Sequence, residues 1–406
     1  MIRGYFKSIW NSHAANGNSK LFLLFLLGML TAFGPFVTDM YLPALPMIRT
    51  EFHTVASLAQ MTLTTSMLGL AVGQIIFGPL SDRYGRRGPL LLSMLLFAAA
   101  TVCCLFVSNI HALIVLRFLQ GMGGAGGIVI ARSVATDLYS GQQLAKILAI
   151  IGAINGVAPV AAPVVGGFLS ESFGWKGIFI VLLVIGVLLA IGCWRFHESL
   201  PKENRMEGGL GTTVKNFGII MTHRQYMAYT LQFALAQGIL FGYIASSTFI
   251  IQEIFGYSES EFGIIFGINA IGIGLGAALA ARFKRAVHCT FYSSCGMLLL
   301  SIVLLFALMN HCSFIVYEGL VFILLLITGL SFTSSTTLAM DAEHERAGAA
   351  SALMGALGFA MGGLASPLVG IGGIDCLMLN SGILFVVCAV LAMVCTLWGQ
   401  RAFRNW

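Results

Sequence analysis

Twelve apolar runs, each long enough to cross a bilayer, constrain this chain more than any other feature. A helix needs about 20 mainly apolar residues to span the hydrocarbon core. Such runs lie at 21–46, 56–80, 88–108, 110–133, 144–170 and 176–196, and again at 224–250, 259–281, 287–309, 313–339, 347–372 and 376–399. No water is present in that core to bond a free N–H or C=O, so runs of this kind close their hydrogen bonds internally as helices. Charged residues make up 9% of the 406 residues, against roughly 25% in soluble domains. A chain so poor in charge cannot clothe a water-facing surface. The first run, from Leu21, exceeds the roughly 7–15 apolar residues of a cleavable signal peptide, and it reads as a retained first helix.

The basic residues orient the spans. Of the 22 lysines and arginines, only Arg49 and Lys176 fall at the outer side, and only Arg117 falls in the interior of a span. The rest, among them Arg3, Lys7, Arg83, Arg86, Arg87, Lys202, Arg282, Lys284, Arg346 and Arg404, collect on one side. The positive-inside rule places that side, with both termini, in the cytoplasm. The segment 197–223 is the longest polar stretch and reads as a cytoplasmic linker between six-helix halves at 21–196 and 224–399, flanked by short cytoplasmic ends at 1–20 and 400–406. The halves echo one another: Pro163-Val164-Val165-Gly166 in the fifth span matches Pro367-Leu368-Val369-Gly370 in the eleventh. The expected fold is therefore an all-α membrane protein, twelve transmembrane helices in two six-helix bundles, with the parallel-repeat pattern of two-half secondary transporters.

Between spans two and three the chain reads GPLSDRYGRRGPL, residues 78–90. Gly78 and Gly85 permit a tight turn, and Asp82 can meet the positive N-terminal end of a neighbouring helix. Arg83, Arg86 and Arg87 hold the loop on the cytoplasmic side. An isolated basic turn would be an ordinary anchor, but the whole pattern in this setting resembles the signature loop of the major facilitator superfamily. Four further segments, TDMYLPALP (38–46), LIVLRFLQGMGGAGG (113–127), GAINGVAPVAAPVVGG (152–167) and ESLP (198–201), make the chain similar to the bicyclomycin-resistance/CflA-type drug:proton antiporters. The resemblance implies that 78–87 forms a cytoplasmic gate. It also implies that the Gly/Pro motif of the fifth span belongs to an exporter. That motif departs from the usual glycines at Ala158 and Ala162 and adds Pro159. The loop after span eight, Arg282-Phe283-Lys284-Arg285, keeps only the positive charge of the signature loop.

Ionisable groups inside spans are costly and commonly functional. Asp39 lies about seven residues before the end of span one, and Arg117 about seven residues into the oppositely directed span four, so both sit roughly 10 Å below the outer boundary. They can meet if spans one and four are neighbours, as the resemblance implies. Asp39 is then the candidate proton carrier and Arg117 its electrostatic partner. A carboxylate beside an arginine gives up its proton readily, and one stripped of water or partner holds it. The alternative is a static ion pair that fixes helix packing. One charge crossing 100 mV is worth ~2.3 kcal/mol, which sustains a gradient of roughly 50-fold in a neutral substrate. Glu318, near the outer end of span ten, is a second titrating candidate or a contact for cationic substrates, or else an interfacial carboxylate reaching for water.

Cavity candidates are Gln120, which follows Arg117 on a similar helix side, Asn155, Gln237 and Asn269, with Gln232 beside them; a helix–helix hydrogen bond is the competing role for Gln120. The hydroxyls of span ten (Ser331, Thr333, Ser334, Ser335, Thr336 and Thr337) either line an inner vestibule or bond their own helix backbone. In the fifth span Gly152, Gly156, Pro159, Pro163, Gly166 and Gly167 invite a kink and close approach, as a hinge or seal, or for packing alone.

No G-x-x-x-x-G-K-[ST] phosphate loop, no H-E-x-x-H pair and no metal-ligand spacing occur in the sequence, so neither a built-in ATP pump nor an enzyme is expected, and no metal or other cofactor. Most of the 9 cysteines lie in apolar runs; Cys312 and Cys376 fall in outer connections and can pair if close. The expected function is alternating-access export of small lipophilic compounds, antibiotics or related toxic molecules, in exchange for protons across a bacterial inner membrane. The expected partners are a small-molecule substrate, protons and membrane lipids, with no nucleic acid, and the expected state is a monomer. The rival functions are proton-linked transport of a natural metabolite such as a nucleoside or sugar, and a sensor or scaffold that kept the fold without transporting.

Overall fold

The computed structural model describes residues 17–139, 141–205, 217–343 and 347–404. Arg3 and Lys7, the centre of the linker at 206–216, and Arg346 lie outside the described residues. The helices are α1 (Lys20–Thr38), α2 (Leu45–Glu51), α3 (Ala56–Tyr84), α4 (Arg87–Leu105), α5 (Ile110–Leu138), α6 (Gly141–Arg195), α7 (Arg224–Phe249), α8 (Glu259–Ala280), α9 (Ala286–Met309), α10 (Phe314–Ala342), α11 (Ala347–Val369) and α12 (Ile374–Arg404).

Among the described residues, eleven helical segments are long and apolar enough to cross a membrane. One of them carries two spans. The 55 residues of α6 would measure about 80 Å if straight, against a hydrocarbon core of about 30 Å. The helix breaks at Gly174, whose φ of 66° and ψ of 178° suit a residue without Cβ. The fifth and sixth runs are thus joined by a kink and not by a separate loop, and the total is twelve. The first run also differs from expectation: α1 ends at Asp39, and a 3₁₀ turn (Leu42–Ala44) and α2 follow. Pro43 and Pro46 each occupy a first turn, where a missing N–H costs nothing.

Each half packs its own helices closely. In the first half α3 lies against α5; in the second, α8 lies against α10. A Cβ on Gly121 of α5 would overlap the Ser66 carbonyl of α3, and one on Gly276 of α8 would overlap the Leu326 carbonyl of α10. Lipid tails are as apolar as leucine, so contact between backbones, not exclusion of water, holds such pairs. Large apolar side chains such as Leu95, Val115, Leu299 and Val394 remain exposed, as suits a lipid-facing surface.

The halves meet along two seams, α6 against α8 and α3 against α11. The repeated Pro-x-x-Gly segments lie on these seams. A Cβ on Gly167 would overlap the Glu259 carbonyl, and Gly263 of α8 in turn faces the Pro163 carbonyl at 2.5 Å from an ideal Cβ. On the other seam a Cβ on Gly370 would lie 3.0 Å from the Ser57 Cα. At the end of the bundle remote from the linker, Arg49 pairs with Glu253 at 2.8 Å. There Gln252 also donates to the Pro43 carbonyl at 3.1 Å. Gln60 donates to the Ala245 carbonyl at 3.1 Å. Glu253 and Gln252 belong to a π-helical turn, Ile250–Ile254, that ends α7. Cys312 and Cys376 are both free thiols.

Candidate transport site

A cavity of about 350 Å³ lies between the halves, walled by α1, α6, α7, α8, α10 and α11. Most of its surface is apolar; the polar groups on its wall are Thr38, Asp39, Tyr243 and Asn269. A few placed polar atoms in an apolar cleft is the usual make-up of a small-molecule site.

Asp39 caps the C-terminal end of α1, its N–H bonded to the Pro35 carbonyl at 2.7 Å. The side chain is 7% exposed, and its Oδ1 accepts from the Thr38 hydroxyl at 2.8 Å. Pro35 and the helix end together turn the acid to the cavity wall. Among the described residues no basic side chain forms an ion pair with it.

That is a correction to the expected pair with Arg117. The arginine does reach the same turn of α1, but it bonds the backbone: Nη2 donates to the Val37 carbonyl at 3.0 Å and Nε to the Thr62 carbonyl at 3.4 Å. Nη1 donates to Gln120 Oε1, and the guanidinium carbon stands 4.2 Å from the Tyr41 ring centre. Carbonyls, an amide and an aromatic face thus carry the charge in place of a carboxylate. Gln120 is the second correction. It is fully buried, accepts from Arg117 and donates to the Thr101 hydroxyl at 2.8 Å, so it joins α5 to α4 and does not line the cavity.

In the second half, Asn269 of α8 is 1% exposed and reaches the cavity. Its Nδ2 donates to Tyr243 Oη at 2.9 Å and to Glu318 Oε1 at 2.7 Å. Glu318 therefore points into the bundle as a partner of Asn269. Gln237 stands against Gly358 of α11, outside the cavity lining, and Gln232 bonds Ser331 of α10 at 2.5 Å. Most of the span-ten hydroxyls turn back on their own helix: Thr333, Ser334, Ser335 and Thr337 each donate to a backbone carbonyl four residues earlier.

The turn between α3 and α4 is a charge network. Gly85 has a φ of 92°, and an ideal Cβ there would sit 2.5 Å from Glu198 Oε2, so a side chain would be strained and would displace the acid. Glu198 accepts the backbone N–H groups of Arg86 at 2.8 Å and of Arg87 at 3.2 Å. The acid at the N-terminus of α4 is thus Glu198 of the ESLP segment. Asp82 pairs with Arg86, which also bonds Asp137 at 2.9 Å and Ser81 at 2.9 Å. Burial opposes the Arg86 charge, yet Asp137 and then Asp82 outweigh it and raise the guanidinium pKa above its ordinary value. Arg87 donates to the Trp194 carbonyl, and Arg83 lies 5.2 Å from the Tyr84 ring. Gly78 lies in van der Waals range of Val129, 3.6 Å from an ideal Cβ. Asp137 carried no motif of its own in the sequence; the only signal was an acid at the end of span four, level with the loop.

The fifth-span residues divide. Gly166 abuts the Met40 carbonyl, and Pro163 and Gly167 lie on the seam with α8. Gly156 and Pro159 face the cavity, and among the described residues nothing stands within 4 Å of an ideal Cβ on Gly156. Packing therefore does not account for Gly156. The side-chain surroundings of Gly152 and Asn155 lie outside the described residues.

A model of the Major Facilitator Superfamily matches residues 24–367. The chain is 39% identical over 365 residues to the uncharacterized MFS-type transporter YdgK of Bacillus subtilis (strain 168), covering 88% of this chain and 91% of that protein. It is 29% identical over 270 residues to the bicyclomycin resistance protein homolog of Haemophilus influenzae (strain ATCC 51907 / DSM 11121 / KW20 / Rd), covering 66% and 68%. In fold it is similar to a bacterial homologue of the human lysosomal transporter Spinster in an inward-facing, unoccupied conformation, with a TM-score of 0.74 over 94% of this chain and 98% of that one at 18% identity.

Proposed function

This chain belongs to the Major Facilitator Superfamily, and from that premise we propose that it exports small lipophilic compounds, antibiotics or related toxic molecules, in exchange for protons. Asp39 carries the reading: it is a buried acid, free of any basic partner among the described residues, on the wall of an otherwise apolar cavity between the two halves. Such a group is costly to ionise away from water and easy to ionise when the cavity opens to it. Rocking of the halves can therefore change its proton affinity, and the apolar wall offers a surface to a lipophilic body. Arg117 acts one shell away. By gripping the Val37 carbonyl it ties the end of α1, and so the position of Asp39, to α5. The resistance protein among the relatives supports the substrate class.

The same reading puts the protein in a bacterial inner membrane with both termini in the cytoplasm, where Arg83, Arg87, Arg195, Arg282 and Lys284 meet anionic headgroups. The network from Arg86 to Asp137 and Glu198 then forms the cytoplasmic gate.

The test is transport in proteoliposomes with an imposed proton gradient, with bicyclomycin as the first compound screened and a panel of lipophilic drugs after it. Substrate-dependent proton movement is expected from the wild type and not from Asp39→Asn. Undiminished coupling in that variant removes Asp39 as the essential carrier. Uptake of labelled nucleosides or sugars, with unchanged drug susceptibility in a deletion strain, would replace export by metabolite transport.

A further inference from the structure

The hydrogen-bond inventory of Asn269 and Glu318 does not close. An asparagine amide offers two N–H donors and one acceptor oxygen, and an ionised glutamate offers acceptors alone. Both Asn269 donors are used, one on Tyr243 Oη at 2.9 Å and the other on Glu318 Oε1 at 2.7 Å. Asn269 Oδ1 and Glu318 Oε2 are both buried, and neither has a hydrogen-bond partner among the described residues. Turning the amide over does not help, because it would aim Oδ1 at the carboxylate. The pair thus has two orphaned acceptors and lacks a donor.

Charge makes the imbalance larger. Among the described residues no lysine, arginine or histidine forms an ion pair with Glu318. The titratable groups beside it are Tyr243 of α7 and Tyr317 of its own helix. None of these carries positive charge. Asn269 is the contact from α8, and Phe255, just after the π-turn that ends α7, meets Tyr317 with ring centres 5.7 Å apart. A buried carboxylate with a single hydrogen bond and no counter-ion is among the most expensive groups a bundle can hold. A single proton removes the charge and occupies Oε2.

We infer that Glu318 and Asn269 form a second proton-binding site, in the half opposite to Asp39, occupied by a proton in this conformation. Its reagent is a hydrogen ion taken from water and returned to it, with no other bond formed or broken. Asn269 also lines the cavity, so a substrate that engages its amide withdraws the N–H from Glu318 and changes what holds the proton. The site thereby couples proton and substrate through one side chain. This deepens the antiport reading and rests on it for its role, but occupancy of the site does not depend on export.

Infrared spectroscopy of the purified protein in lipid at neutral pH tests the inference, since a protonated carboxyl has a carbonyl band that a carboxylate lacks. The wild type is expected to show such a band, Glu318→Gln to lose it, and Asn269→Leu to shift it upward as the acid loses its hydrogen-bond partner. Asp39→Asn serves as the control that separates the two acids, and circular dichroism confirms that each variant is folded. A wild-type spectrum without the band, or a band unaltered in folded Glu318→Gln, overturns the site. Should Glu318→Gln not fold, an unshifted band in Asn269→Leu overturns it. A protein that shows the expected band but moves no compound against a proton gradient would keep this site and lose the export reading.

Discussion

The Arg117 guanidinium donates to the Val37 carbonyl at 3.0 Å, two residues before Asp39 and at the broken end of α1. A fully buried cation thereby holds the peptide next to the proposed carrier while its charge rests on carbonyls, Gln120 and the Tyr41 ring. The fork of the guanidinium makes this possible, since it bonds several acceptors in one plane, which an ammonium on a flexible stem cannot do.

Arg117→Lys should therefore not behave as a conservative change. It leaves Gln120 Oε1 or the Val37 carbonyl without a donor, at about 1–3 kcal/mol for each buried orphan. Thermal unfolding in detergent should fall accordingly, and proton-coupled transport should drop by about tenfold, the factor that 1.4 kcal/mol represents. Wild-type transport and stability in Arg117→Lys would show that the charge alone matters there.

Asp137 should matter as much as the motif residues around it. Arg86 is 6% exposed and divides its bonds between Asp82 and Asp137. Asp137→Ala leaves the cation underpaired, and breaking a buried pair typically costs about 3–5 kcal/mol. A double-mutant cycle with Arg86→Met, followed by thermal unfolding, should show strong coupling between the two positions. Additive losses would mean that Asp82 suffices.

The pair Arg49–Glu253 joins the halves at the end of the bundle remote from the linker, with side chains 28% and 19% exposed. Partly exposed pairs are worth about 0.2–1 kcal/mol, small for folding but enough to shift a balanced two-state equilibrium severalfold. In Glu253→Gln, spin labels placed at Thr54 and Ser258 should report a larger fraction of long distances. The charge swap Arg49→Glu with Glu253→Arg should restore the wild-type distribution. An unchanged distribution in Glu253→Gln would remove this latch.

Two glycines should respond oppositely. Among the described residues nothing stands within 4 Å of a Cβ on Gly156, so Gly156→Ala should leave stability unaltered, while Gly156→Val should weaken transport by filling the cavity. Gly263→Ala forces a Cβ to 2.5 Å from the Pro163 carbonyl, and such overpacking costs about 1–3 kcal/mol. Thermal unfolding of the three variants beside their transport rates decides this, and a stable, fully active Gly263→Ala would show that the seam can widen.

Hydropathy by itself determined how many times this chain crosses the membrane, because a bilayer imposes one length scale on every span and requires every backbone bond to close within it. The charges likewise marked one side, and the loop at 78–90 with its companions marked the family. The repeated Pro-x-x-Gly segments were visible as text, and their place on the two seams came only with the fold.

Which side chains meet was a different matter. Asp39 and Arg117 stand at similar depth, as counting residues along two helices suggests, but depth does not set the rotation of a helix or the place where it breaks. The end of α1 at Asp39 turned the carboxylate to the cavity and offered Arg117 a carbonyl. Glu198 reached the N-terminus of α4 because the chain after α6 folds back across the loop, a contact between residues more than a hundred positions apart. Asn269 found Glu318 in the same way. Span number follows from a property summed over many residues, whereas a hydrogen bond depends on angle and on tenths of an ångström, and only the packed tertiary structure supplies those.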